Sequence, residues 1–271
     1  MPADSQQTGP RDWLHAELLP SPGARFDDVL ALALQADAAG WTSLALMPGD
    51  ASFDTLTLLA ALAAQTRHIG LVAGIDPART HPYDAARRLA ALDHVSGGRA
   101  GWQLPAGVDP PLAAGYAHML AALWDTWDDD ARVCDKASGR YVDLARVRPA
   151  HASSLHWRSA GPLDIPRPPQ GHPVRYGGPH ENAEVTLLDS PSFAQAPQGA
   201  VLLRQDTPGN AQARQWRGNV FSLPIGSPHW PEILAAHTLP RHSTTSLRDG
   251  LGLPRPLPAM PTGTSLQQAT P

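Results

Sequence analysis

Apolar runs and amphipathic stretches alternate along the first half of the chain. Phe26 to Ala39 predicts a helix, with Val29, Leu30, Leu32, Ala33 and Leu34 apolar and Gly40 placed to stop it. The run from Trp41 to Met47 then predicts a short buried strand. Asp54 caps a second helix, rich in Leu and Ala, from Thr55 to Thr66. Ile69 to Ile75 predicts a second buried strand. Pro82 suits the first turn of a third helix that runs to His94, and Ser96-Gly97-Gly98 ends it. Arg99 to Gln103 predicts a third strand, and Leu112 to Trp127 a fourth helix.

Helices and apolar strands in strict alternation, joined by short turns, are the pattern of parallel βα units. The strands are continuous apolar runs because helices cover the sheet they form. The second half reads differently. Prolines concentrate there, and each removes a backbone donor and breaks helix interiors. Short strands are expected at Val174 to Gly177, Ala200 to Leu203 and Asn219 to Leu223, with a helical turn or two at Trp230 to His237. The expected organisation is one domain over residues 13–253, with disordered tails at 1–12 and 254–271.

Composition narrows the function classes. With 21 basic and 25 acidic residues the formal net charge is −4, which argues against a nucleic-acid or anionic-membrane partner. The only lysine is Lys136, so lysine chemistry is confined to that position. A lone cysteine, Cys134, excludes an intrachain disulfide and a cysteine-based metal site. The polar start lacks the apolar run of a signal peptide, and no stretch has the length of a membrane span, so the expected location is cytoplasmic.

Phosphate-loop, dinucleotide, zinc-protease and nucleophile-elbow motifs are absent. The 12 histidines show no helical i, i+4 pairing with a nearby carboxylate, so no metal site is expected. Asp93-His94 reads either as an oriented general base or as a helix end where His meets the negative dipole. The second reading is the stronger. Asp128-Asp129-Asp130 reads as a solvated helix end, and Trp102 and Trp157 as core.

Two long runs carry a resemblance. Leu56 to Val72 includes Gln-Thr-Arg-His-Ile-Gly-Leu-Val, and His81 to Trp102 includes Leu-Asp-His-Val-Ser-Gly-Gly-Arg-Ala-Gly-Trp. Three later segments agree in order: Leu123 to Trp127 continuing to Gly139-Arg140-Tyr141, Gly161 to Val174, and Ser246 to Pro256. Together they resemble the bacterial-luciferase-like flavin monooxygenases, in particular the nitrilotriacetate and dibenzothiophene-sulfone monooxygenase group.

The resemblance implies a (β/α)₈ barrel, TIM-barrel-like and incomplete or irregular in its C-terminal half. It also implies reduced FMN supplied by a separate flavin reductase, O₂ as oxidant, a small organic substrate and a possible homo-oligomer. Barrel sites lie at the C-terminal ends of the strands. The candidate flavin-binding residues there are Asp50, Gly74, Gln103, Gly177, Gly178 and His180; no catalytic residue is assigned. Several family features are replaced. Pro48 stands where the family has an Asp, and Ala73-Gly74-Ile75 where it has hydroxyl residues. Gly177 to Glu181 lacks the serine of the family's phosphate segment. Weak flavin binding is therefore expected. The alternative is a non-catalytic barrel relative that serves as a binding or oligomerisation partner.

Overall fold

The structure is a computed structural model that describes residues 13–49, 54–179, 181, 183–189, 200–205, 218–240 and 244–258. Four regular units open the fold. They are β1 (Trp13–Leu19) and α1 (Phe26–Ala38), β2 (Ser43–Leu46) and α2 (Thr55–Gln65), β3 (Gly70–Gly74) and α3 (Pro82–Ser96), and β4 (Ala100–Gln103) and α4 (Pro110–Trp124). An excursion follows with two antiparallel hairpins, β5 (Arg132–Asp135) with β6 (Arg140–Val142), and β7 (Ala152–Ser153) with β8 (Arg158–Ser159). The barrel resumes with β9 (Val174–Gly177), β10 (Val185–Leu188), β11 (Ala200–Gln205) and β12 (Gly218–Pro224), then α5 (Trp230–Ala236) and α6 (Leu247–Gly250).

Eight parallel strands close in the order β1-β12-β11-β10-β9-β4-β3-β2. The three strands expected before residue 105 are adjacent and parallel, in registers such as Ala45↔Val72 and Ala73↔Trp102. The expected incompleteness of the sheet is corrected: β12 pairs with β1 over seven residues, so the ring is whole. The irregularity lies in the outer layer. Only residues 178–184 connect β9 to β10, too few for a covering helix. Two barrel strands, β1 and β10, and the four hairpin strands β5 to β8 lie beyond the sequence reading. No described helix is long and apolar enough to cross a membrane.

Strand periodicity divides the core in two. Leu14, Ala16, Leu18, Leu44, Leu46 and Leu71 face the helices, while Trp13, Ala45, Val72, Tyr176, Leu187 and Val220 face the barrel axis. α6 closes the lower end with Leu247 and Leu251.

The lower end, where the strands begin, is tied by buried polar groups. The Asp37 carboxylate accepts from the backbone N–H groups of Arg67, His68 and Ile69 at 3.2, 2.8 and 2.7 Å. Arg99 donates to the carbonyls of Ala63, Thr66 and Ile69 at 2.8–3.1 Å, satisfying the end of α2. Asp93 is fully buried and takes hydrogen bonds from Ala100 N and from the Gln170 backbone and side chain. Burial raises its pKa. Asp93 is thus part of the lower-end scaffold, and its neighbour His94 is exposed, with Nε2 3.2 Å from the Pro166 carbonyl. The two residues are a helix end and not a base at the site.

The acidic run lies at the surface just beyond α4, in keeping with a solvated helix end, and each carboxylate has a basic partner. Asp128 pairs with Arg148 at 2.5 Å, Asp129 with Arg255 at 2.6 Å and Asp130 with Arg146 at 2.5 Å. Arg255, with Arg167 holding the Pro256 carbonyl at 3.0 Å, docks chain beyond residue 253 onto the barrel. Residues 1–12 and 259–271 lie outside the described residues.

Candidate functional site at the barrel mouth

Alternation along each strand decides what reaches the upper mouth. On β1 the inward positions are Trp13, His15 and Glu17, so the most polar residues of the strand point to the axis. At mid-depth the His15 ring stacks on Tyr176 with centroids 5.0 Å apart. Ser43 Oγ lies 2.8 Å from His15 Nδ1 and accepts from the Tyr176 hydroxyl at 3.0 Å. Burial drives the His15 pKa down to about 4; Glu17 opposes the shift and Arg204 adds to it. Burial likewise raises the Tyr176 hydroxyl, so both rings are neutral near pH 7.

One layer higher stands Glu17, its side chain 5% exposed. Gln103 Nε2 donates to its Oε1 at 2.8 Å and touches Met47 Sδ at 2.7 Å. Arg204 on β11 and the Ser222 hydroxyl on β12 both donate to Oε2. Arg204 also donates to Asp189 at 2.9 Å. Burial raises the Glu17 pKa, but Arg204 and Ser222 outweigh it and hold the group below the usual range, so it is ionised.

The sequence-derived candidates fall as follows. Gly74 and Gln103 end neighbouring strands and both face the mouth. A Cβ at Gly74 would sit 2.5 Å from Pro48 Cδ and 2.9 Å from Met47 Cα, so these two residues fill that space. Gln103 is turned to Glu17 and Met47. Gly177 and Gly178 end β9, and a Cβ on Gly177 would lie 2.5 Å from Glu181 Oε2. Asp50 and His180 lie outside the described residues. Sequence reading missed Glu17, Arg204 and Ser222. The polar alternation in Trp13 to Leu19 was the available signal for the first.

A flavin phosphate requires hydrogen-bond donors and positive charge. Glu181 presents its carboxylate to the two glycines instead, and the unpartnered buried atoms nearest them and the mouth include two acceptors, Glu181 Oε2 and Gln103 Oε1. The Arg175 guanidinium projects from the outward face of β9, 5.2 Å over the Trp102 ring, with Nε and Nη2 buried and unpartnered, and it lines a cavity together with Gly178, Pro179 and Glu181. At the axis of the mouth the described groups do not fit the phosphate of FMN, because the cation there, Arg204, is held by Glu17 and Asp189. Among the described residues no cluster suits a metal ion.

Comparison with known proteins places the barrel. The sequence signature of the luciferase-like monooxygenases matches residues 7–186. The chain is 35% identical to one of the two pristinamycin IIA synthase subunits of Streptomyces pristinaespiralis that it resembles, over 87% of this chain and 92% of that one. It is 34% identical to the nitrilotriacetate monooxygenase component of Aminobacter aminovorans, over 59% of this chain but only 40% of that one. Among solved structures, EDTA monooxygenase from Chelativorans sp. BNC1 superposes with a TM-score of 0.66 at 16% identity, over 90% of this chain and 99% of that one. The closed parallel barrel and the matched sequence together establish that this chain belongs to the luciferase-like family of flavin-dependent monooxygenases.

Proposed function

We propose that this chain is the smaller, supporting member of a two-chain monooxygenase that uses reduced FMN, delivered by a separate flavin reductase, and O₂ to oxidise a small organic substrate. One observation carries the reading. The chain aligns along 92% of one pristinamycin IIA synthase subunit but along only 29% of the other subunit of the same synthase. Its extent is that of the former, while it spans 40% of the nitrilotriacetate monooxygenase component. The mouth agrees with a supporting role, because its polar groups are spent on one another. In this reading the barrel contributes a rigid surface to a longer partner of the same family.

Co-expression with a longer luciferase-like chain from the same host, followed by size-exclusion chromatography with light scattering, tests this. The expected result is a one-to-one complex that turns over reduced FMN and substrate, with neither chain active alone. A homo-oligomer of this chain that performs the reaction unaided would overturn the proposal and establish the single-chain alternative.

A further inference from the structure

We infer that the Glu17–Arg204 ion pair is an internal plug at the barrel mouth and that this chain holds no flavin of its own. Three observations converge. First, the pair closes its own charge balance. Glu17 is ionised and nearly buried, and its two oxygens receive Gln103, Arg204 and Ser222. Arg204 spans β12 to reach β1 and gives its remaining contact to Asp189. The cation at the mouth is therefore committed inside the chain. Releasing it to an anionic ligand would leave a buried carboxylate unpaired, a strongly unfavourable exchange.

Second, the glycine turn after β9 is faced by a carboxylate. Glu181 overlies Gly177 and Gly178, so backbone N–H groups there meet a carboxylate. Gln103 Oε1 and Glu181 Oε2 accept hydrogen bonds and cannot donate them to a phosphate, and the unpartnered donors Nε and Nη2 of Arg175 lie on the outward face of β9 over the Trp102 ring, away from the axis that Glu17 and Arg204 occupy. Third, the opening at the end of β3 is filled by Pro48 and Met47 against Gly74, and a side chain on Gly49 would meet Pro20 at 2.3 Å. Residues 47–49 thus lie against Gly74 and Pro20, where a ring system would need an open wall.

The mouth of this chain carries the plug by itself; only the assignment of the flavin to a partner rests on the two-chain reading. The isolated chain is titrated with FMN, and with dithionite-reduced FMN under nitrogen, by fluorescence. The expected result is no saturable binding tighter than about 100 μM, a free energy weaker than about −5.5 kcal/mol. Saturable binding at lower concentration overturns the plug, whatever the outcome of the co-expression. If the isolated chain aggregates, flavin is counted in the purified complex. One FMN per pair of chains supports the inference and two overturn it. Failure to form any complex would sink the two-chain reading while leaving the titration to judge the plug.

Discussion

Gln170 places its side-chain amide 2.6 Å from Asp93 Oδ1, across 77 residues of sequence, at the lower end of the barrel. Its other contacts extend the knot. Nε2 also reaches the Ala100 carbonyl at 2.8 Å, and Oε1 accepts from Arg248 N at 2.9 Å. Arg248 in turn donates to the His172 carbonyl at 2.9 Å and pairs with Glu184. The segments that resemble the luciferase-like family are the ones that meet here: Arg99 and Asp93 from the second run, Gln170 from the fourth, Arg248 from the last. That resemblance reports the scaffold. In barrels of this kind the lower face governs stability, and chemistry belongs to the upper one.

Gln170→Ala should therefore destabilise the protein by about 3 kcal/mol, because it leaves buried groups of Asp93, Ala100 and Arg248 without partners. Urea denaturation measures it. A loss below about 1 kcal/mol would show that the knot is dispensable.

The turn after α3 is a second scaffold device. Gly97 and Gly98 have φ of 70° and 86°, and Gly98 N returns to the Asp93 carbonyl at 2.8 Å, as in a Schellman ending. Gly97→Ala should cost about 1 kcal/mol from the left-handed backbone alone. Gly98→Ala should cost more, since its Cβ would stand 3.2 Å from Ser246 Cβ. Equal melting temperatures for wild type and both variants would contradict the turn as described.

Removing half of the mouth pair should be worse than removing all of it. Arg204→Met strands the Glu17 carboxylate and should cost about 3 kcal/mol, the low end for a broken buried pair because Arg204 is partly exposed. Adding Glu17→Gln should recover at least half of that loss. The check is a double-mutant cycle by chemical denaturation; additive losses would mean that the two side chains act independently.

Acid should weaken the fold through His15. Its folded pKa of about 4 lies below the ordinary value of 6.5, so between these limits the unfolded chain binds the extra proton. Stability from this group is complete above about pH 6.5 and is lost as pH falls toward 4. From pH 7 to pH 5 the contribution is about 2 kcal/mol. His15→Gln should flatten that part of the stability profile. An unchanged slope in the variant would assign the acid sensitivity to other groups.

Sequence alone determined the elements whose signals are local. Caps such as Asp54, the proline at the start of α3, the Gly97-Gly98 turn and the apolar runs of β2, β3 and β4 act within a few residues, and each is readable where it stands. The parallel arrangement followed from their alternation. Closure was different. β1 presents His15 and Glu17 inward, so its buried face looks polar until the strands around it are known. β10 follows β9 without a helix to announce it. The mouth was the least legible part, since Glu17 and Arg204 stand 187 residues apart and neither carries a motif. The expected flavin ligands were placed by position along strands. What those positions face was decided by burial, which forces a carboxylate inside the barrel to find its partners across the ring.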